Sequence, residues 1–271
     1  MEVMAGAWSP RVSLITPTRD RHALLPFAYR WATALGEPSW EWVVLDDSDR
    51  PCPFLTSLSD PRVRYVHLPR GLRLGAKRNE AVALTRGRFI LHLDDDDYYA
   101  PGYVAPLLEA LDEDVGLAKL GAWFVYSVGE RMLGHVDMTK LKAQRWELSG
   151  RGVRQVQARG AGLDARIEEV ELETPQVGWG FSFAYRRETW ERCPFPDVDW
   201  NEDGRFATEV VGQWGLATVA DTTGLCLHLV HPNSASASFP DSLLPHERLR
   251  DLFPPEVEDL ISAVGSLPPR R

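Results

Sequence analysis

Hydrophobic positions in the first hundred residues follow two alternating spacings. Residues 20–36 and 75–87 place apolar side chains at helical intervals. Asp20 is a candidate N-cap of the first helix, and Gly36 is its candidate stop. Runs that are apolar nearly throughout predict the strands: 11–16, 40–47, 62–68 and 88–97. Such strands, joined by helices, are typical of a single Rossmann-like, mostly parallel α/β sheet with helices on both faces.

The second half of the chain has a less regular pattern, which predicts a smaller irregular region beside the sheet. Three further runs predict extended structure: 115–128, 216–221 and 225–231. A helix is expected to begin near Asp203, and the Pro-rich tail is expected to be helical. Residues 140–169 are polar and rich in glycine, which predicts a mobile or irregular insertion that could act as a lid over substrate.

Composition limits both the partners that the protein can bind and the compartment in which it is expected. The 271 residues carry a formal net charge of -9, which disfavours nucleic acid because phosphate binding depends on Lys and Arg. Cys52, Cys193 and Cys226 have neither disulfide nor metal-type spacing, which fits a reducing cytoplasm. No apolar window approaches the ~20 residues that a spanning helix needs, and the start lacks a signal-peptide pattern. The expectation is a cytoplasmic protein without a transmembrane segment.

Four consecutive aspartates, 94–97, follow the last of the first four predicted strands. Ligands of open α/β sheets bind beyond the carboxyl ends of the strands, where "TPTRDR" and "DDSDR" also lie. Crowded carboxylates repel one another unless a cation neutralises them, and Mg²⁺ and Mn²⁺ prefer oxygen ligands. Asp94 with Asp96, or Asp96 with Asp97, would suffice for a metal site. A solvated acidic turn is the alternative interpretation.

Four segments together resemble family 2 glycosyltransferases with the GT-A fold: "VSLITPTRDR", "WVVLDDSD", "GAKRNEAVALTRGRFILHLDDDDYYAP" and "WNEDGRF". The resemblance runs as a series of matches from about residue 11 to residue 231. It implies an inverting enzyme that uses a nucleotide-sugar donor and Mn²⁺ or Mg²⁺.

The resemblance also assigns residues to the metal and the diphosphate. Asp94, Asp95 and Asp96 match the D-x-D element, with Asp96 the direct metal ligand and Asp94 a contact to ribose or metal. His231, at the end of a predicted strand, either completes the metal shell or contacts the diphosphate, or it is a buried hydrogen-bonded histidine.

Further residues match the nucleotide site. They are Thr16, Pro17 and Arg19 of the first loop, Asp46 and Asp47 after the second strand, and Lys77, Arg78 and Asn79 of the basic segment. Asp47, with Asp46 as its alternate, would accept the N3–H of a uracil-type base, which favours UDP or dTDP. Lys77 and Arg78 open a predicted helix, where cations are unfavourable unless an anion such as a diphosphate neutralises them. Arg19 is equally well interpreted as a surface residue.

The catalytic pair is "ED" in "WNEDGRF". The resemblance makes Asp203 the general base that deprotonates an acceptor hydroxyl, with Glu202 as its alternate; an isolated Asp at this place would be interpreted as an N-cap. Trp179, Gly180 and Trp200 are candidate acceptor-binding residues, although core packing is the ordinary role of a tryptophan.

The division of the chain follows from these assignments. Residues 1–114 are expected to bind the nucleotide sugar, 115–240 to bind the acceptor and supply the base within the same GT-A domain, and 241–271 to form the tail. The acceptor stays open among sugar, natural product, peptide and lipid-linked hydroxyls, and a homodimer is possible.

Three other functions fit these residues less well. A sugar nucleotidyltransferase would carry a Gly-rich loop after the first strand, which "TPTRDRHALL" lacks. A phosphoryl-transfer enzyme would carry a Walker-type loop. A non-catalytic nucleotide-sugar-binding scaffold would not need an intact "DDDD" and "NED".

Overall fold

A computed structural model describes residues 9–68, 71–139, 144–158, 168–170, 177–234 and 237–268. The strands are β1 Val12–Thr18, β2 Trp40–Asp46, β3 Val63–His67, β4 Phe89–His92, β5 Tyr98–Tyr99, β6 Val115–Ser127, β7 Met132–Asp137, β8 Gln144–Ser149, β9 Gly152–Ala158, β10 Glu168–Val170, β11 Ala184–Arg186, β12 Gly215–Ala220, β13 Cys226–Val230 and β14 Ser242–Leu244. The helices are α1 Leu25–Ala34, α2 Pro53–Ser57, α3 Leu74–Leu84, α4 Val104–Ala110, α5 Arg187–Arg192, α6 Glu202–Gln213, α7 Arg248–Leu252 and α8 Glu256–Gly265.

The central sheet has a parallel half and a mixed half. Strands β4, β1, β2 and β3 lie side by side in parallel, as the sequence predicts. Strand β11 then runs antiparallel between β4 and β6, and β6 pairs in parallel with both β12 and β13. Strand β14 pairs with β7 at the far edge. The predicted mostly parallel α/β sheet is confirmed.

Successive residues along the inner strands contribute side chains to two different apolar layers, one on each face of the sheet. Leu14 and Val44 pack with residues of α1, α4 and α8 on one face of the sheet. Their neighbours Ile15 and Val43 pack with residues of α3 and α6 on the other. Because neighbouring side chains of a strand point to opposite faces, an almost wholly apolar strand is buried on both sides. The expected helices on both faces are therefore present.

The first helix begins later than the sequence pattern indicates. The prediction that Asp20 caps it is wrong, because Asp20 lies in a left-handed conformation with φ 56° and the helix starts at Leu25. Pro26 stands in the first turn, where its missing N–H costs no hydrogen bond. The helix ends at Ala34 with Leu35 at the C-cap, so Gly36, the predicted stop, is the first residue beyond the cap.

The segment 140–169 contains more regular structure than its composition suggests. Strands β8 and β9 form an antiparallel hairpin, and β10 adds to β9 in parallel. Backbone hydrogen bonds in both directions join Leu148 of the hairpin to Ser238. The expectation of an irregular insertion is therefore wrong for 144–158. Residues 140–143 and 159–167 lie outside the described residues, and the lid stays a prediction.

Three further features of the described residues concern the C-terminal tail, the cysteines and the length of the helices. The tail is only partly helical, because β14 precedes α7 and α8. Cys52, Cys193 and Cys226 are buried free thiols. Within the described ranges, each helix is too short or too polar to cross a bilayer.

Candidate active site

The four aspartates lie in the turn that leaves β4, and each has different surroundings. Asp94 reaches the surface most, with 27% of its side chain exposed, and its nearest cation is Arg78 at 3.9 Å. Asp97 is fully buried and accepts hydrogen bonds from the backbone N–H of Leu229 at 2.8 Å and from His228 at 2.9 Å. Asp94 therefore faces outward, while Asp97 connects the turn to β13.

Arg21 lies between the two middle aspartates. Its Nη1 is 2.8 Å from Asp95 Oδ1 and 2.6 Å from Asp96 Oδ2, and Thr18 also donates a hydrogen bond to Asp95. Burial alone would raise the pKa of Asp96, but Arg21 and His231 outweigh it and hold that pKa below its usual range. One guanidinium thus neutralises part of a buried acidic cluster.

Both histidines of β13 and its end contact the aspartates. His231 Nε2 lies 3.0 Å from Asp96 Oδ2, and His228 Nδ1 contacts Asp97. Both can face the acidic turn although they are three residues apart, because β13 ends at Val230 and the chain turns at His231 through hydrogen bonds with Ser234. The strand alternation that separates residues i and i+3 stops before the second histidine.

The oxygen ligands fit a divalent cation. Carboxylate oxygens of Asp94, Asp96 and Asp97 lie within 4.8 Å of one another. Both oxygens of Asp97 are engaged by His228 and Leu229, whereas the contacts of Asp96 with Arg21 and His231 use Oδ2, so Asp94 and Asp96 are the ligands that can turn to a metal. Burial and the neighbouring aspartates raise the pKa of Asp94 to about 7, against the effect of Arg78. A carboxyl group held at such a pKa lacks a neutralising charge, which a metal would supply.

The two acidic residues at the start of α6 differ in availability. Glu202 is buried, and Arg78 Nε donates to it at 3.1 Å. Asp203 is partly exposed and accepts hydrogen bonds from Gly180 N–H at 2.7 Å and from Gly204 N–H at 2.8 Å. The cap of this helix is Asn201, in a left-handed conformation with φ 59°. Asp203 is therefore held by backbone donors and is not the N-cap.

A cavity of about 510 Å³ joins these groups. Asp94, Asp95 and Asp96 line it together with Arg21 and Arg78, and so do Glu202, Asp203, Pro17, Trp179, Gly180, Trp200 and His228. Trp200 is 69% exposed at its rim. An added Cβ on Gly180 would come within 2.7 Å of the Asp203 Cβ, so the glycine permits the close approach that orients Asp203. One opening therefore holds the acidic turn, two arginines and the candidate base.

Other predicted site residues have partners within the protein. Thr16 is buried, donates to Leu93 O and accepts from Trp42, and Asn79 binds Trp190 and the backbone of Phe195. Neither lines the cavity, so the structure gives both of them packing roles. Arg19 is about half exposed and lies 3.9 Å from Asp20.

The two aspartates after β2 are also enclosed. Asp46 accepts hydrogen bonds from Ser48, Tyr65 and His22, with His22 Nε2 at 3.1 Å. Asp47 forms an ion pair with Lys77 through one oxygen, while its Oδ2 is buried without a hydrogen-bond partner among the described residues. Asp47 therefore retains a free acceptor atom, and Asp46 is fully engaged.

The model for glycosyl transferase family 2 matches residues 13–189, close to two thirds of the chain. The chain belongs to glycosyl transferase family 2. The match spans β1, the aspartate turn and the glycine at position 180.

Similar proteins agree with this assignment. The chain is 30% identical over 104 residues to the colanic acid biosynthesis glycosyl transferase WcaA of Escherichia coli (strain K12), and this covers 37% of each protein. It is similar in structure to the mannosyltransferase PcManGT from Pyrobaculum calidifontis in complex with GDP-Man and Mn²⁺, with TM-score 0.56, 19% identity and coverage of 82% of this chain and 57% of that one. S. aureus TarS residues 1–349 with UDP-GlcNAc gives TM-score 0.53 and 17% identity, over 83% of this chain and 61% of that TarS fragment. This family 2 chain has the GT-A fold and spans just over a third of the length of its curated relative.

Sequence reasoning missed two residues that line this cavity, Arg21 and His228. Arg21 lies two positions beyond Arg19 in "TPTRDR", and the backbone turn at Asp20 decides which of the two arginines faces inward. Lys119 interrupts the apolar run "VGLAKLGAWFV", and a lysine in the middle of a buried strand is a signal that can be read from sequence alone.

Proposed function

We propose that this family 2 protein is an inverting glycosyltransferase that uses a UDP- or dTDP-sugar, Mn²⁺ or Mg²⁺, and a glycan hydroxyl as acceptor. The observation that carries the proposal is the placement of Asp94, Asp96 and Asp203 around one cavity beside two arginines, Arg21 and Arg78. In such a site the metal and the diphosphate would bind beside Asp94 and Asp96. The acceptor would bind on the other side of the cavity, beside Asp203. The similarity to WcaA, a polysaccharide biosynthesis enzyme by its name, supports the glycan acceptor.

The donor side would be held by charge. Asp94 and Asp96 would hold the metal, which neutralises the negative charge that builds up on the diphosphate as the sugar leaves. Arg21 and Arg78 line the same cavity and are the cations best placed to contact the phosphates. Both are now paired with carboxylates, so donor binding exchanges those pairs for pairs with phosphate.

The acceptor side would carry the proton transfer. Asp203 takes the proton of the acceptor hydroxyl while that oxygen attacks the anomeric carbon from the face opposite the diphosphate. The bond from the anomeric carbon to the phosphate oxygen breaks, and its electron pair leaves with the nucleotide diphosphate. Hydrogen bonds from Gly180 and Gly204 fix the carboxylate for this step. Glu202 is the weaker choice, because Arg78 binds it and the residue is 4% exposed.

Base recognition rests on Asp47. Its Oδ2 is the buried acceptor that could receive the N3–H of uracil or thymine, provided that the loop opens around it. PcManGT binds GDP-Man on the same fold, so the fold alone does not select the base. The choice of UDP or dTDP therefore depends on Asp47.

The proposal is tested by a screen for stabilisation. UDP, dTDP, GDP and CMP and their sugars are added with Mn²⁺, with Mg²⁺ or with EDTA, and unfolding is followed; a ligand at one hundred times its Kd adds ~2.7 kcal/mol. Metal-dependent stabilisation by UDP or dTDP, followed by transfer to glycan hydroxyls, is the expected result. Nucleotide binding without transfer to any acceptor and without donor hydrolysis would favour a binding scaffold instead.

A further inference from the structure

Lys119 is a buried cation that the proposed mechanism does not use. It lies within β6, its residue is 0% exposed, and its Nζ has no hydrogen-bond partner among the described residues. An unpaired ammonium group in the interior is unfavourable, so such a residue persists where its charge or its contacts are needed. The surroundings of Nζ show what those contacts are.

Two tryptophan rings surround the amino group. Nζ lies 5.5 Å from the ring centroid of Trp123 and 5.5 Å from that of Trp179. The two rings are themselves 5.3 Å apart and inclined by 50°. Cations are attracted to the faces of tryptophan rings within about 6 Å, and the attraction is strongest where water is excluded. The ammonium form of Lys119 therefore attracts both rings, and Trp179, one of the two, lines the cavity.

Trp179 needs such support because its backbone is strained. It has φ 63° and ψ 65°, the left-handed conformation, which bulky residues rarely adopt and which persists only when surrounding contacts impose it. Trp179 lines the cavity and directly precedes Gly180, whose N–H binds Asp203. A continuous set of contacts thus leads from Lys119 through Trp179 and Gly180 to Asp203.

The charge of Asp203 also acts on Lys119. Burial lowers the pKa of Lys119 to about 7, and the carboxylate of Asp203, on α6, counteracts part of that decrease. On the paired strand β12 the register partner of Lys119 is the uncharged Thr218. The two rings that contact the amine belong to Trp123, which lies on β6 itself, and to Trp179. Among the described residues, Asp203 is the one ionised group with a resolved influence on this amine.

We propose that Lys119 is a positioning residue for the acceptor side of the cavity: its ammonium group fixes Trp179 and holds a positive charge near Asp203. This rests on the proposed function, because it assumes that Asp203 is the base and that Trp179 borders the acceptor. Lys119 touches neither substrate, so it acts through these two residues.

The first test does not depend on transfer. Tryptophan fluorescence of the full chain is titrated from pH 5 to pH 9 in wild type, Lys119→Met and Val125→Ala. Val125→Ala is a control that loosens the same strand without changing charge. Wild type and the control should share a transition near pH 7 that Lys119→Met lacks. An identical transition in Lys119→Met, or none in wild type, would overturn the contact between Lys119 and the tryptophans.

The second test measures transfer. Lys119→Met should raise the acceptor KM several-fold and leave the donor KM unchanged. Val125→Ala should keep the wild-type KM values. Lys119→Gln, also neutral, repeats the test if the methionine variant does not fold. A wild-type acceptor KM in the neutral variant would overturn the positioning role. Absence of transfer in wild type would instead refute the proposed function, and the fluorescence result would still decide the contact.

Discussion

The Arg21→Met variant distinguishes two ways of neutralising the aspartate cluster: the guanidinium of Arg21 and a bound divalent metal. The guanidinium contacts Asp95 at 2.8 Å and Asp96 at 2.6 Å, and the three side chains are 15%, 3% and 12% exposed respectively. Solvent screening at such burial is slight, so this is a buried ion-pair group rather than a surface one. Removing one partner of a buried pair costs ~3–5 kcal/mol, because the remaining charges lose their compensation.

The variant is therefore expected to be less stable than wild type by ~3–5 kcal/mol in EDTA. At ~2–4 °C for each kcal/mol, the melting temperature should fall by roughly 6 to 20 °C. Mn²⁺ should recover much of the loss, since a metal at one hundred times its Kd adds ~2.7 kcal/mol. It should stabilise wild type less, because there it must first displace Arg21 from Asp96.

The assay is urea unfolding at pH 7.5, with EDTA and with a series of Mn²⁺ concentrations. Arg30→Met is the matched control: its partner is Glu256 and the two side chains are 52% and 34% exposed, so its loss should cost less than ~1 kcal/mol and not respond to metal. The reasoning is refuted if Arg21→Met is as stable as wild type in EDTA, or if Mn²⁺ stabilises the two proteins equally.

Four further outcomes are expected. Asp47→Ala should reduce the preference for UDP or dTDP over GDP in nucleotide titrations; equal binding of GDP by wild type would remove that assignment. Gly180→Ala should slow transfer more than it weakens donor binding, because its Cβ would displace Asp203; kinetics with unchanged kcat would contradict this. Limited proteolysis should cut within 140–169 less readily once UDP and Mn²⁺ are bound, and equal resistance with and without ligand would refute the lid. For Lys119 the folded-state pKa of about 7 lies below the ordinary 10.5, so above pH 7 the unfolded chain holds a proton that the folded one has released. Stability should therefore rise between pH 7 and pH 10 in wild type, and Lys119→Met should flatten that rise in urea unfolding; parallel curves would contradict it.

The sequence predicts the parts of this fold that depend on local pattern. The inner strands are apolar on both faces, so their burial and parallel pairing can be read directly, and the aspartates at 94–97 must then lie at the carboxyl edge of the sheet. The hairpin at 144–158 could not be predicted, because its strands are mostly polar and one of them pairs through Leu148 with Ser238, ninety residues along the chain.

The candidate site also combines features that local sequence pattern predicts with features that only tertiary packing determines. Arg78 and Glu202 are 124 positions apart, and their ion pair depends on how α3 and α6 meet, which periodicity does not encode. The inward position of Arg21 depends on the left-handed backbone at Asp20, and the approach of His231 to Asp96 depends on a turn after β13. Motif resemblance locates the acidic residues, while their counter-charges come from tertiary packing.

The most direct test of the account is the single-turnover rate of sugar transfer in Asp203→Asn, with donor, acceptor and Mn²⁺ saturating. The amide keeps the hydrogen bond from Gly180 but cannot take a proton, so the rate should fall ~10²–10⁴-fold while donor affinity stays near that of wild type. Asp96→Asn should instead lose metal-dependent donor binding and transfer together. If Asp203→Asn transfers at the wild-type rate and Glu202→Gln does not, the base is Glu202; if both transfer normally, the cavity does not catalyse inversion by a carboxylate base and the central claim is wrong.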